Sequence, residues 1–142
     1  MEKFNEKYVI FLDFDGVLKI KDESFNSNFE KEAINRLNEL CELTGFCIVV
    51  CSSWREHIDY INFLHTHGLN QEIPILGKTE YSNSGKRYEI KKYIDDHKIK
   101  KFIIIDDAFL GEDLVPHQIQ TAPRLGFTEN KYKEALIKIS KL

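Results

Sequence analysis

Short runs of apolar residues alternate with amphipathic stretches along the whole chain. Three of the runs are short and largely apolar, which is typical of strands buried on both faces of a sheet: residues 8–12, 46–51 and 101–105. Residues 73–76 form a further short apolar piece, and residues 118–121 are expected to be a short edge strand. The pattern therefore predicts a sheet with a strongly apolar centre.

The stretches between these runs have helical periodicity. Residues 27–43 carry one apolar stripe, and Gly45 is expected to end that helix. At its start, Ser27 and Glu30 have the spacing of a capping box. Three further helices are predicted, namely a segment from Trp54 to near Gly68, residues 86–97 and residues 129–142.

Strands and helices that alternate in this way imply right-handed crossovers and a parallel sheet. The expected fold class is α/β, a three-layer doubly wound parallel sheet with helices on both faces. A length of 142 residues fits a single domain over residues 1–142. In such folds ligands bind beyond the carboxyl ends of the strands, so the residues that follow each strand are the first candidates for function.

Acidic and hydroxyl side chains follow all three strong strands. Residues 13–16 are Asp-Phe-Asp-Gly, residues 52–55 are Ser-Ser-Trp-Arg, and residues 106–107 are both aspartate. Because the carboxyl ends of parallel strands lie at one edge of the sheet, these side chains are expected to converge. Four carboxylates placed close together repel one another unless a cation joins them, and their oxygens suit Mg²⁺.

Such a group of side chains fits phosphate chemistry. One carboxylate can attack phosphorus, and a second, two residues along, can protonate the leaving group and then activate water. Serine hydroxyls, and backbone N–H groups at the start of the following helix, can bind phosphoryl oxygens. A nearby lysine would offset the negative charge.

The same residues carry a family resemblance. Residues 11–18, Phe-Leu-Asp-Phe-Asp-Gly-Val-Leu, resemble the first motif of the haloacid dehalogenase (HAD) superfamily of phosphatases. The strand that ends in Cys51-Ser52-Ser53 is similar to the second motif, and residues 103–107, Ile-Ile-Ile-Asp-Asp, to the acidic fourth motif. The third motif is a lysine before or at the start of a helix; Lys86 matches best and Lys78 is the rival.

The resemblance implies a role for each matching residue. Asp13 would be the nucleophile, and Asp15 the general acid and base. Lys86 would stabilise the charge on Asp13 and on the transferring group. Ser52 would bind the phosphoryl group, with help from Ser53.

The resemblance also implies a Mg²⁺ cofactor, with Asp13 and the backbone carbonyl of Asp15 among its ligands. Where HAD proteins have an adjacent acidic pair, the second acid often touches the metal, so Asp107 is the expected ligand. Asp106 would support it or contact Mg²⁺ through water. Arg55 is placed with the phosphate-binding residues, although a position on a helix surface is an equally good interpretation.

Many HAD proteins insert a cap domain over the site, and here both insertion points are short. Residues 17–26 have room for a small hairpin flap, and residues 68–85 for a short strand and a loop. The chain is therefore expected to have no cap, and an open site admits a phosphate on a large molecule such as an RNA or DNA end or a phosphoprotein.

Three further segments resemble a small HAD group of bacterial and phage RNA-repair proteins. They are residues 52–55, 75–79 and 126–128. This resemblance implies possible partner repair proteins.

Composition adds limits rather than functions. The net charge is −3, so a nucleic-acid binder would need a local basic patch. The lysines and arginines of residues 86–101 could steer a polyanion, although a solvated helix face is the stronger interpretation for Lys91, Lys92 and Lys98. Three cysteines without paired spacing, and no apolar run of membrane length, indicate a reduced cytoplasmic protein with no membrane partner; the oligomeric state stays open.

Two classes of function are compatible with these residues. The leading hypothesis is a Mg²⁺-dependent phosphomonoesterase that forms an aspartyl-phosphate, and a phosphoprotein is the second possible substrate class. The alternative is a non-catalytic phosphate-binding or regulatory module on the same fold. Loss of Asp13, Asp15 or Lys86 would mark that alternative, and all three are present.

Overall fold

The computed structural model describes residues 3–20, 29–56 and 59–142. Five parallel strands form one sheet in the order β3-β2-β1-β4-β5. The strands are β1 (Asn5–Leu12), β2 (Phe46–Val50), β3 (Ile75–Lys78), β4 (Lys101–Asp106) and β5 (Gln118–Gln120). The strand order reverses between β1 and β4, and a crevice is expected at that point, beyond the carboxyl ends of the strands.

Helices cover both faces of the sheet. They are α1 (Lys31–Thr44), α2 (Tyr60–Thr66), α3 (Lys86–His97) and α4 (Glu129–Ser140). Helices α1, α2 and α4 share one apolar core with the sheet, and α3 packs on the opposite face. The fold is therefore the expected three-layer, doubly wound α/β arrangement.

The second half of β1, residues 9–12, shows why this part of its sequence is continuously apolar. Ile10 and Leu12 pack in the core under α1 and α4, whereas Val9 and Phe11 pack in the core under α3. All four are fully buried. A central strand covered on both faces has no polar alternation, which is the pattern of the sequence here.

The first predicted helix begins later than expected. Helix α1 starts at Lys31, and Glu30 is its N-cap without a side-chain capping bond. Ser27 lies outside the described residues, but the proposed capping box is wrong, because Glu30 is at the N-cap of this helix and not at its third position. The helix ends as predicted at Gly45, whose left-handed conformation (φ 76°) lets its N–H donate to the carbonyl of Cys41.

The expected single helix from Trp54 to near Gly68 is wrong. Ser53–Glu56 is a 3₁₀ turn, in which the N–H of Arg55 donates to the carbonyl of Ser52. Helix α2 starts afresh at Tyr60, because the carboxylate of Asp59 accepts the N–H of Asn62 and caps it. The apolar spacing suggested one helix because it contains no information about these local bonds.

The short apolar piece at residues 73–76 is in part a strand. Strand β3 begins at Ile75, after Pro74, whose carbonyl still accepts a bond from the N–H of Ile48. A proline has no N–H to donate to the sheet, so the regular strand starts after it.

No cap domain covers the sheet edge in residues 29–56 and 59–142. Between β2 and α3, the described residues form the 3₁₀ turn, α2, β3 and connecting loops. The expected flap at residues 17–26 falls largely outside the described part of the chain. None of the helices in that part is long and apolar enough to span a membrane.

Candidate active site

Three carboxylates meet where β1 and β4 end. Each of Asp13, Asp106 and Asp107 offers an oxygen atom, and these atoms all lie within 4.8 Å of one another. The N–H of Asp13 donates to the carbonyl of Ile105 at 3.1 Å and continues the pairing of β1 with β4. The register of two neighbouring parallel strands therefore brings these acids together.

Lys86 completes the cluster from the other side. Its Nζ lies 2.7 Å from Oδ2 of Asp106 and 3.5 Å from Oδ1 of Asp13. It is the first residue of α3, and Gly85 precedes it with a φ of 97°. Burial works against the charge of Lys86, but Cys51 and then Asp13 and Asp106 hold its pKa above the ordinary range.

The cluster holds more negative charge than one lysine can offset. Asp13 is 6% exposed and Asp106 is fully buried. Burial, and then the charge of Asp106, raise the pKa of Asp13 to about 7, while Lys86 acts in the opposite direction. Buried carboxylates ionise unfavourably unless a positive charge lies next to them. Their oxygen atoms are suitable ligands for a hard cation such as Mg²⁺.

The two members of the acidic pair differ in their surroundings. Oδ2 of Asp106 accepts a bond from Lys86, and its Oδ1 accepts one from the N–H of Ala108 at 2.9 Å. Asp107 is half-buried and lies against Gly16. A Cβ added at Gly16 would lie 2.5 Å from Oδ2 of Asp107.

Gly16 therefore serves two purposes at once. Its φ of 81° makes the turn after Asp15 that the sequence predicts, and its missing side chain leaves room for the Asp107 carboxylate. The turn is tied in place because the N–H of Gly16 donates to the carbonyl of Lys19, and its carbonyl accepts from the hydroxyl of Thr121. The close approach to Asp107 is a feature that the sequence pattern did not reveal.

An open cleft of about 770 Å³ lies over the cluster and is called the acidic cleft below. Asp13, Asp15, Asp106 and Asp107 line it together with Lys86. The carboxylate of Asp15 is not among the three acids whose oxygens lie within 4.8 Å of one another. Asp15 thus lines the same cleft as Asp13 but does not belong to the three-acid cluster.

The two serines after β2 differ in exposure. Ser53 is exposed and lines the acidic cleft, whereas Ser52 is 1% exposed and follows the buried Cys51. The motif gave Ser52 the leading role in phosphate binding, but the geometry gives Ser53 the more open position. The expected N-terminal N–H groups belong here to the 3₁₀ turn rather than to an α-helix.

Arg55 does not lie on a helix surface. It is 5% exposed, and its guanidinium makes four hydrogen bonds within the protein, which use Nε, Nη1 and Nη2. One of these goes from Nη2 to Oε1 of the buried Glu89 at 2.8 Å. Arg55 lines the acidic cleft, but its guanidinium is already bonded to protein acceptors.

The rival lysine is engaged elsewhere. Nζ of Lys78 lies 3.8 Å from Oε2 of Glu56, and both side chains are substantially exposed. The structure thus places Lys86, not Lys78, against Asp13 and Asp106.

The loop after β3 forms one rim of the acidic cleft. This rim loop (residues 79–85) contributes Tyr81, Ser82 and Asn83 to the lining. Tyr81 is 69% exposed, and its hydroxyl donates to Oδ1 of Asn83 at 3.0 Å. These residues were not predicted as part of the site, since an isolated tyrosine in a polar loop carries no periodic signal.

The basic stretch around α3 is largely paired with acids. Arg87 and Lys91 both bond Asp113, and Lys92 bonds Asp96. The bonds from Arg87 and Lys91 hold the pKa of Asp113 below its usual range. Lys101 is the first residue of β4, and Asp106 of the acidic cluster is its last. Lys101 therefore lies at the opposite end of the strand from the cluster.

Comparison with known families agrees with this arrangement. A family model described as the HAD domain in Swiss Army Knife RNA repair proteins matches residues 9–132. The chain belongs to this family. A comparison with curated proteins found no match.

Membership of a HAD family confirms the resemblance on which the site was predicted. In this HAD domain the structure brings together Asp13, Asp106, Asp107 and Lys86, and places Asp15 and Ser53 on the same cleft. Ser52 is buried, and Arg55 is hydrogen-bonded to Glu89. Family membership and the acidic cluster are what is expected of a hydrolase of the HAD superfamily; the role of each residue stays a prediction.

Proposed function

We propose that this HAD domain is a Mg²⁺-dependent phosphomonoesterase with Asp13 as its nucleophile. The observation that carries the proposal is the position of the Asp13 carboxylate, which lies 3.5 Å from Nζ of Lys86 and within the three-acid cluster. A carboxylate in this position can attack a phosphoryl group, while the lysine and a bound cation offset the negative charge of that group.

The proposed reaction has two steps. An oxygen of Asp13 attacks phosphorus, the bond from phosphorus to the alcohol oxygen breaks, and Asp15 gives that oxygen a proton. Asp15 then takes a proton from water, whose oxygen attacks phosphorus and releases inorganic phosphate from the aspartyl-phosphate. Lys86 offsets the charge on Asp13 in both steps.

Asp13, the carbonyl of Asp15 and Asp107 are the proposed holders of Mg²⁺. When bound, the ion would supply positive charge next to the phosphoryl oxygens. Asp107 is preferred over Asp106 because it is half-buried and lines the acidic cleft, whereas Asp106 is fully buried and accepts bonds from Lys86 and from the N–H of Ala108. Asp106 would then hold Lys86 in place.

The proposed substrate is a phosphate at the end of an RNA or DNA strand. The family is named for RNA repair proteins, and no cap domain restricts the acidic cleft in the described part of the chain. Tyr81 adds an exposed aromatic ring at the rim, where the base next to a terminal phosphate could stack.

Separate repair proteins are the proposed partners. The proposed location is the cytoplasm, because the buried free thiols of the three cysteines suit a reducing compartment.

The experiment is release of inorganic phosphate with Mg²⁺, with and without chelator, by the wild type and by Asp13→Asn. The substrates are an aryl phosphate, mononucleotides, 5′- and 3′-phosphorylated RNA and DNA oligomers, and a phosphopeptide. Chelator-sensitive release by the wild type alone supports the proposal, and the preferred substrate decides between a nucleic-acid end and a protein. A folded protein that binds Mg²⁺ but releases no phosphate from any substrate would favour the non-catalytic binding module.

A further inference from the structure

We propose that the buried ion pair of Arg55 and Glu89 positions Lys86 and the two loops beside it for catalysis. The inference rests on the phosphatase function proposed above. It assigns Arg55 as a positioning residue rather than a phosphate ligand. Glu89, which the motifs did not single out, becomes its functional partner.

The pair joins three separate segments of the site. Arg55 donates from Nη1 to the carbonyls of Cys51 and Ser52, at 3.1 and 2.8 Å, and from Nε to the carbonyl of Thr79 at 2.8 Å. Its Nη2 reaches Oε1 of Glu89 in α3. One side chain thus links the end of β2, the start of the rim loop and the helix of the lysine.

Glu89 extends the same connection. Its Oε2 accepts the N–H of Ser82, in the middle of the rim loop, at 2.8 Å. It stands one helical turn after Lys86, so both residues lie on neighbouring positions of α3. A shift of Glu89 relative to Arg55 would therefore move the first turn of α3 and the ammonium group of Lys86.

The burial of the pair makes this connection rigid. Arg55 and Glu89 are each 5% exposed. Two charges in such a place are tolerated when the surrounding polar groups satisfy them, and here both carboxylate oxygens of Glu89 accept bonds. An exposed pair of long side chains would hold its neighbours far less firmly.

The bond pattern also argues against direct phosphate binding by Arg55. Of the five N–H groups of a guanidinium, four are used by the protein in this structure. A phosphate-binding arginine usually offers a pair of parallel N–H groups to the ligand. That pair would become available here only if Arg55 released one of its present partners.

The test compares Arg55→Lys, Glu89→Gln and the double variant. Each single variant is expected to lower kcat by about 10- to 100-fold, because sub-ångström errors in catalytic geometry are costly, while KM changes by less than about threefold. The kcat of the double variant is expected to be no lower than that of the less active single variant, since the two residues act as one unit. Amide hydrogen exchange in residues 79–89 should rise in all three variants, with β1 and β4 unchanged.

Glu89→Gln discriminates between the two roles of Arg55, because a carboxylate does not bind phosphate. If Arg55 were a phosphate ligand, Arg55→Lys would raise KM, and Glu89→Gln would leave kcat unchanged or lower KM. That result, or unchanged amide exchange in the rim loop, overturns the proposal. If Arg55→Lys does not fold, Glu89→Gln alone gives the same decision.

Lys92→Ala is the matched control. Lys92 is in the same helix and pairs with Asp96 on its exposed side. It is expected to leave kcat, KM and amide exchange at wild-type values; a loss equal to that of Glu89→Gln would mean that any change in α3 has this effect and would overturn the proposal. A wild type without turnover would refute the phosphatase function, and amide exchange would still decide whether the pair holds the rim loop.

Discussion

Replacement of Gly16 by alanine tests whether the turn after Asp15 sets the position of Asp107. The added Cβ would lie 2.5 Å from Oδ2 of Asp107, so the carboxylate must retreat by about 0.9 Å to reach ordinary contact at 3.4 Å. Alanine is also strained at a φ of 81°. That strain, less the entropy that alanine removes from the unfolded chain, predicts a net loss of about 1 kcal/mol of stability.

Gly45→Ala is the control, because it repeats the backbone problem away from the site. Gly45 has a φ of 76°, and a Cβ there would lie 2.6 Å from the backbone carbonyl oxygen of Lys3, at the opposite edge of the sheet. A backbone atom yields less readily than a side chain, so Gly45→Ala should lose at least as much stability as Gly16→Ala. For a chain of this length each kcal/mol corresponds to about 4 °C in Tm.

The assay is thermal unfolding in chelator and across a series of Mg²⁺ concentrations. Mg²⁺ should raise the Tm of the wild type and of Gly45→Ala equally. If moving Asp107 weakens Mg²⁺ binding tenfold, saturating Mg²⁺ stabilises Gly16→Ala by about 1.4 kcal/mol less than the wild type. An equal Mg²⁺-induced shift in Gly16→Ala would refute the reasoning, and no shift in the wild type would contradict the proposed metal site.

Three further predictions use the phosphate-release assay. Asp13→Asn should abolish turnover while its Tm stays near that of the wild type, because asparagine keeps the shape of the side chain; near-normal activity would remove Asp13 as nucleophile. Asp107→Ala should raise the Mg²⁺ concentration needed for half-maximal activity more than Asp106→Ala does, and the reverse order would exchange the two assignments. Lys86→Ala should lower kcat by about 100-fold or more, whereas Lys78→Ala should leave it unchanged; greater damage from Lys78→Ala would refute the choice of lysine.

The sheet and the acidic cluster could be predicted from the sequence for a simple reason. Strand β2 and the second halves of β1 and β4 are buried on both faces, so each contains an unbroken apolar run. Asp13 and Asp106 then lie at the ends of two neighbouring parallel strands, and any such pair of strands brings their end residues together. Local pattern and topology were sufficient here because the strands themselves position the side chains.

The parts that could not be predicted depend on contacts between distant segments. Arg55 and Glu89 are 34 residues apart, and nothing in the spacing of either segment indicates their bond. The same bond explains why an arginine that could equally be assigned to a helix surface is buried instead. Likewise, the glycine at position 16 was expected for its turn, but its closeness to Asp107 depends on how two loops meet in space.

The charges around the site also indicate how a substrate would be recognised. Arg87, Lys91 and Lys92 are paired with acids of the protein, so they offer little net attraction to a distant polyanion. Lys86 faces Asp13 at the bottom of the acidic cleft, where the terminal phosphate itself would be the group close to it. For the proposed substrate, recognition would therefore depend on the terminal phosphate and the nucleoside next to it rather than on a long tract of backbone, as the proposed action on strand ends requires.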